Sequence, residues 1–135
     1  MRREVGQLER VLAGVTFPGL NWERVRANHE RCFLRVKKAL RHCRHDNEPE
    51  VFHKLRKRLK LFYFQSLALA ERQRAKKRIR RAKELGKHLG KEHDLAVLSV
   101  QLAGRQDSVD KCGVVEKKRL KMHANLRSEG ARLLR

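Results

Sequence analysis

The chain has 135 residues, enough for one ordinary domain with a single modest core, and its 35 Lys and Arg against 15 Asp and Glu leave a formal net charge of +20. So short a chain cannot bury that excess. The charge must face solvent or a polyanion such as nucleic acid, polyphosphate or an anionic membrane, because self-repulsion at this density opposes compaction. Few aromatics, two prolines and 40% hydrophobic residues set at helical intervals exclude a twisted sheet and argue against disorder.

Val5, Leu8, Val11, Leu12 and Val15 repeat at helical steps and predict a short amphipathic helix that stops before Pro18-Gly19. Asn21 then reads as an N-cap for a long helix with Trp22, Val25, Cys32, Val36, Leu40 and Cys43 inward, ending at the polar run His45-Asp46-Asn47. Pro49 suits the first turn of the next helix, which carries Val51, Leu55, Leu59 and Phe62 to an end near Ala70. Ala75, Ile79, Ala82, Gly86 and Leu89 form one narrow apolar stripe, with Gly90 read as its stop. Asp94 would cap a further short segment with Leu95, Leu98 and Leu102 before a turn at Gly104 to Ser108. A final helix directs Val115, Met122, Leu126 and Leu133 inward. The expectation is an all-α antiparallel bundle of about four to six helices, organised as a single domain over 1–135, with 1–18 an N-terminal helix and linker and 19–135 the bundle core.

The segment from Phe52 to Lys60 is the most informative. Wound at ~100° per residue, it places His53, Arg56, Lys57 and Lys60 on one arc about 100° wide, opposite Val51, Leu55, Leu59 and Phe62. The preceding helix projects Arg24, Arg31, Arg35, Lys38 and His42 within about 60° of one another. Arg74, Lys77, Arg78 and Arg81 follow on the next helix. Solvated helix faces usually interleave Glu with Lys at four-residue spacing, and these stripes do not. Facing one another across a groove, they would suit a linear chain of phosphates better than a small anion.

His53-Lys54-Leu55-Arg56-Lys57-Arg58-Leu59-Lys60, followed by Phe62-Tyr63-Phe64-Gln65, resembles the signature helix of the CHAD family. Leu89-Gly90-Lys91-Glu92-His93-Asp94-Leu95 is similar to that family's Leu-Gly-x-x-His-Asp-Leu segment, in the same order and at a similar separation. The resemblance runs more weakly from Gly19 to Leu134 and matches one half of a family member, the C-terminal one. It implies half of a pair of four-helix bundles that bind inorganic polyphosphate in a basic channel, with His53, Arg56, Lys57 and Lys60 lining the ligand and basic residues of the preceding helix assisting. Tyr63 stands where many relatives carry Arg or Trp, so no ligand role passes to it. The half-length match also implies a homodimer that rebuilds the channel from two copies.

Arg24, Arg31, Arg35, Lys38, Arg78 and Arg81 enter the expected polyphosphate site on helical geometry. No catalytic residue is assigned. Ser and acidic residues do not cluster at helical spacing beside His53, and Asp94 reads as a cap or an Arg partner. His42, Cys43, His45 and Asp46 match no standard metal spacing, and histidines at a helix end complement its dipole, so neither metal nor cofactor is expected. Nucleic acid is the alternative ligand. Against it, Trp22, Tyr63 and the phenylalanines read mostly as apolar-face residues, and the cationic helix lacks the Asn or Gln of a base reader. Three cysteines without paired spacing predict a reducing, cytoplasmic setting, with granule association implied by the polyphosphate reading. Acidic residues near the N-terminus interrupt any signal-peptide pattern, and Leu61 to Ala70, broken by Gln65 and Ser66, falls short of the ~20 apolar residues that span a bilayer. A membrane-surface mode is not expected, because the bulky apolar residues are needed for the core.

Overall fold

The computed structural model describes residues 21–69, 76–105 and 109–135. The expected helix over Val5 to Val15 lies outside them, as does Arg74. Four helices account for the described residues: α1 (Trp22–His45), α2 (Pro49–Ala68), α3 (Lys76–Ala103) and α4 (Val109–Leu133).

Local chemistry sets the first boundaries. The Asn21 side chain accepts from the Glu23 backbone N–H at 2.8 Å and caps α1, whose last turn carries His42, Arg44 and His45 against the negative end of the dipole. Asp46 Oδ1 accepts from the Glu48 N–H at 2.8 Å and shapes the turn into Pro49, whose missing N–H is harmless in a first turn.

Each helix packs on its neighbours in sequence, α1 on α2, α2 on α3 and α3 on α4, and a lighter contact between α1 and α4 closes the bundle. His29 meets Ser66 near one end of the α1–α2 pair and Cys43 meets the Val51 carbonyl near the other, so the two helices run antiparallel. The core comprises Val36, Leu40 and Cys43 of α1, Phe52, Leu55, Leu59 and Phe62 of α2, Ala82, Leu85 and Leu89 of α3, and Leu126 and Leu133 of α4. His29 stacks on Phe62 at 5.0 Å and pairs with Ser66 Oγ at 2.8 Å. Burial, then the nearby charge of Arg78, pulls the His29 pKa below its ordinary 6.5. Arg127 donates from Nε to the Cys43 carbonyl at 2.7 Å and from Nη2 to Asn47 Oδ1, satisfying an end-of-helix acceptor of α1 from α4. Near the same end, α4 lies so close to α1 that Leu40 occupies the space a side chain at Gly130 would need.

Three sequence expectations fail in α3: its stop, its cap and the position of its apolar stripe. The helix does not stop at Gly90; it runs unbroken through Gly86, Gly90 and Asp94 to Ala103, and Asp94 is an exposed mid-helix residue, not a cap. Both glycines face α2: a Cβ at Gly86 would meet Leu59 Cδ2 at 3.9 Å and one at Gly90 would meet the Arg56 guanidinium at 4.0 Å. Close helix approach explains them, not termination. The buried row of α3 is Ala82, Leu85, Leu89, Glu92 and Ala96, about 60° around the helix from the stripe expected from Ala75 to Leu89. In α4 the buried row is Arg119, His123, Leu126, Gly130 and Leu133; Met122 packs against the core as expected, and Val115 is half-buried.

Gly113 lies in α4 with nothing within 4 Å of where a Cβ would sit. Gly113→Ala should therefore raise the stability measured by urea unfolding by about 0.5–1 kcal/mol through helix propensity alone. A loss of stability would show that α4 is not continuous there.

Candidate functional site

The winding of α2 puts its core at Phe52, Leu55, Leu59 and Phe62 and turns the cationic arc outward and toward α3. Three facing pairs fix the register of α2 against α3: Leu59 opposite Gly86, Arg56 opposite Gly90, and His53 opposite His93. The two sequence blocks singled out above thus meet side by side. His53 and His93 have ring centroids 5.3 Å apart at 33°, and His53 Nδ1 is buried without a hydrogen-bond partner. Because Gly90 has no side chain, the half-buried Arg56 can lie against α3, while Lys57 and Lys60 remain exposed.

The stripe on α1 adjoins this face from the other side. Arg24, Arg31, Arg35 and Lys38 are all exposed, and Arg58 of α2 donates to the Arg35 carbonyl at 3.4 Å, which brings that turn of α1 beside α2. Arg31 and Lys38 flank Arg35 by about one turn on either side. Arg24 lies further along, beyond the turn of α1 that faces Ser66.

Arg78 and Arg81 are not placed beside Arg56. Arg78 lies over the Phe33 ring of α1, 4.7 Å from its centroid, and Arg81 donates to the Arg132 carbonyl of α4 at 2.6 Å. The α3 cations that flank the glycines are exposed Lys83 and Lys87, which the rotated apolar stripe concealed. Phe64 also departs from expectation. It is 57% exposed and lies one turn from Lys60 on the cationic arc, an exception to the mostly apolar-face placement of the phenylalanines.

A second polar cluster lies inside the bundle. Glu92 of α3 is fully buried and its Oε1 accepts from Arg119 Nε at 3.3 Å, Arg119 Nη2 at 3.0 Å and His123 Nε2 at 3.1 Å. Arg119 Nη1 also donates to Glu116 at 2.9 Å. His123 is stacked on Phe52 of α2, with centroids 4.1 Å apart at 13°. Burial pushes the Glu92 carboxyl up, but the hydrogen bonds from His123 and Arg119 and their charges together hold it below the usual carboxylate value. The same pairing raises Arg119 against the opposing effect of its burial. None of these three was expected inside. The available signal was the spacing of Arg119 and His123, which continues the Leu126–Leu133 row backwards in four- and three-residue steps.

Cys43 faces the core, where burial pushes its thiol up to about 11, whereas His42 and His45 are exposed, so these residues do not converge. Among the described residues no three His, Cys, Asp or Glu side chains are placed to hold a metal ion.

The described residues define an antiparallel bundle of four helices with exposed Lys57 and Lys60 on the second. A family model described as the CHAD domain matches residues 2–103, and the chain belongs to that family. The match takes in both sequence blocks and ends where α3 ends. No curated protein and no solved structure matches the chain.

Removing one partner of a buried ion network leaves the others uncompensated, so Glu92→Gln should lower stability by about 3–5 kcal/mol in urea unfolding. A carboxyl held below its unfolded value of 4.5 stabilises the fold above that pH and loses its contribution as pH falls toward the folded value. Glu92→Gln should accordingly flatten the acid limb of the stability profile below about pH 4.5. An unchanged limb would show that Glu92 is not held as a buried carboxylate.

Proposed function

We propose that the chain binds inorganic polyphosphate along the cationic face of α2 and its borders with α1 and α3, without catalysing a reaction on it. The observation that supports this reading is the Arg56 guanidinium against Gly90 of α3, with exposed Lys57 and Lys60 on the same arc of α2 and exposed Lys83 and Lys87 on α3, which helical winding puts on the side of the two glycines or on the outer crest. Between Lys76 and Lys91 the one exposed acid is Glu84, on the flank of α3 turned toward α4. Cations held this close repel one another, and a chain of phosphates relieves that repulsion while taking charge-assisted hydrogen bonds. Arg31, Arg35 and Lys38 extend the positive field along α1. Membership of the CHAD family supports polyphosphate as the polyanion. A binding role agrees with the surroundings of His53, whose ring lies against His93 and whose buried Nδ1 meets no Ser or carboxylate among the described residues.

One observation favours a second reading, non-specific binding of nucleic acid: the exposed Phe64 ring beside Lys60 offers a surface on which a base can stack. Under the polyphosphate reading Phe64→Ala leaves affinity for polyphosphate and RNA alike. Under the other it weakens single-stranded RNA by about 1–3 kcal/mol.

Two further parts of the proposal follow from the resemblance to half a CHAD domain. Two copies pair about a two-fold axis and present their cationic faces to one ligand, and the protein works in the cytoplasm at polyphosphate granules. No described helix is long and apolar enough to cross a membrane. Light scattering should give a dimer with polyphosphate, and a monomer with and without it would reject the pairing.

Arg56→Ala combined with Lys60→Ala should weaken long-chain polyphosphate by roughly tenfold or more, with an unchanged thermal transition. Unchanged affinity in a folded double variant would remove α2 as the binding face.

A further inference from the structure

The border of α2 and α3 does not exhaust the exposed cations of α3. Lys83, Lys87 and Lys91 follow one another at four-residue intervals, and each step advances about 6 Å along the helix and about 40° around it. They therefore trace an oblique line across the outer crest of α3. It begins on the flank of Gly86 and Gly90, which meets α2, and reaches the flank that meets α4. On that side Lys91 lines an open groove of about 340 Å³ between α3 and α4, together with His88, Met122, Asn125, Glu129 and Arg132.

This groove is suited to phosphate by its chemistry. Lys91 and Arg132 supply charge, and the Asn125 and Ser128 side chains along its α4 wall supply neutral donors. The carboxylate that would repel an anion, Glu129, is engaged by His88 Nδ1 at 2.7 and 2.8 Å to its two oxygens. Glu84 remains as an exposed acid one turn before His88, so favourable charge concentrates at the Lys91 end. The Arg132 backbone is fixed by the bond from Arg81 to its carbonyl, which leaves the Arg132 guanidinium to the groove.

We infer that a long polyphosphate chain does not end at the α2–α3 border but crosses α3 along Lys83, Lys87 and Lys91 and continues into the groove between α3 and α4. A helix with its side chains is about 10–12 Å across, so only a chain longer than that reaches both sides. The protein then distinguishes long chains from short ones by the number of cations each can touch. This inference rests on the polyphosphate reading of the α2 face and adds to it a second stretch of the same ligand.

The test compares tripolyphosphate with long-chain polyphosphate on the full chain and two variants, Lys91→Ala with Arg132→Ala, and Arg56→Ala with Lys60→Ala. The first variant should bind long chains roughly tenfold more weakly, with a salt dependence reduced by about two in slope, as expected for two lost phosphate contacts. Its affinity for tripolyphosphate should stay within about twofold, while the second variant weakens both ligands. Long-chain affinity unchanged in the first variant, or both ligands weakened alike by it, would overturn the crossing path and leave the α2 face standing. Both ligands unaffected in the second variant would remove the polyphosphate reading itself, and the path with it.

Discussion

The buried carboxylate of Glu92 is the contact around which the described bundle is arranged. Removing a carboxylate from water is costly, and here the cost is met by three donor atoms of Arg119 and His123 on α4, which hold it ionised. His123 in turn lies flat on Phe52, so one acidic side chain of α3 ties down α4 and, through a ring stack, the first turn of α2. A slip of α4 by a turn would strand the buried Arg119 guanidinium and the Glu92 carboxylate without each other.

That constraint also orients the residues at the border of α2 and α3. In the short run Leu89 to His93, Leu89 enters the core, Gly90 makes room for Arg56, Glu92 reaches α4 and His93 meets His53. With Glu92 held toward α4, the winding of α3 leaves Gly86, Gly90 and His93 no direction but toward α2. The cationic arc of α2 is then set against a helix that presents Gly86 and Gly90 beside it, and Lys57 and Lys60 are kept at the surface. Among the described residues the Lys and Arg side chains lie at or near the surface apart from Arg119, which is paired with Glu92, so the positive excess is compatible with folding.

The limits of α1 and α2 were legible because capping is local. Asn21 and Pro49 act within one turn, and the residues that stop the helices adjoin them. The His53, Arg56, Lys57 and Lys60 arc was legible too, since the four-residue period of an isolated helix already separates it from Leu55 and Leu59. Illegible were the features that need a neighbour. Gly90 followed by Asp94 reads as a stop and a new cap only until α2 is known to lie against that flank. Counting Gly86 as core rotated the expected stripe of α3 by about 60° from its buried row. Glu92, Arg119 and His123 read as surface residues because each is polar alone and buried only as a set.

We propose that the cationic face of α2 recognises a ligand composed of phosphate throughout. This is tested most directly by competition, displacing labelled long-chain polyphosphate with duplex DNA or single-stranded RNA at equal phosphate concentration and at two salt concentrations. Salt sensitivity alone does not discriminate, because every polyanion releases counterions on binding. The account predicts that polyphosphate outcompetes both nucleic acids and keeps its advantage at the higher salt. Displacement by duplex or RNA at equal or lower phosphate concentration would contradict it and make the face a nucleic-acid surface.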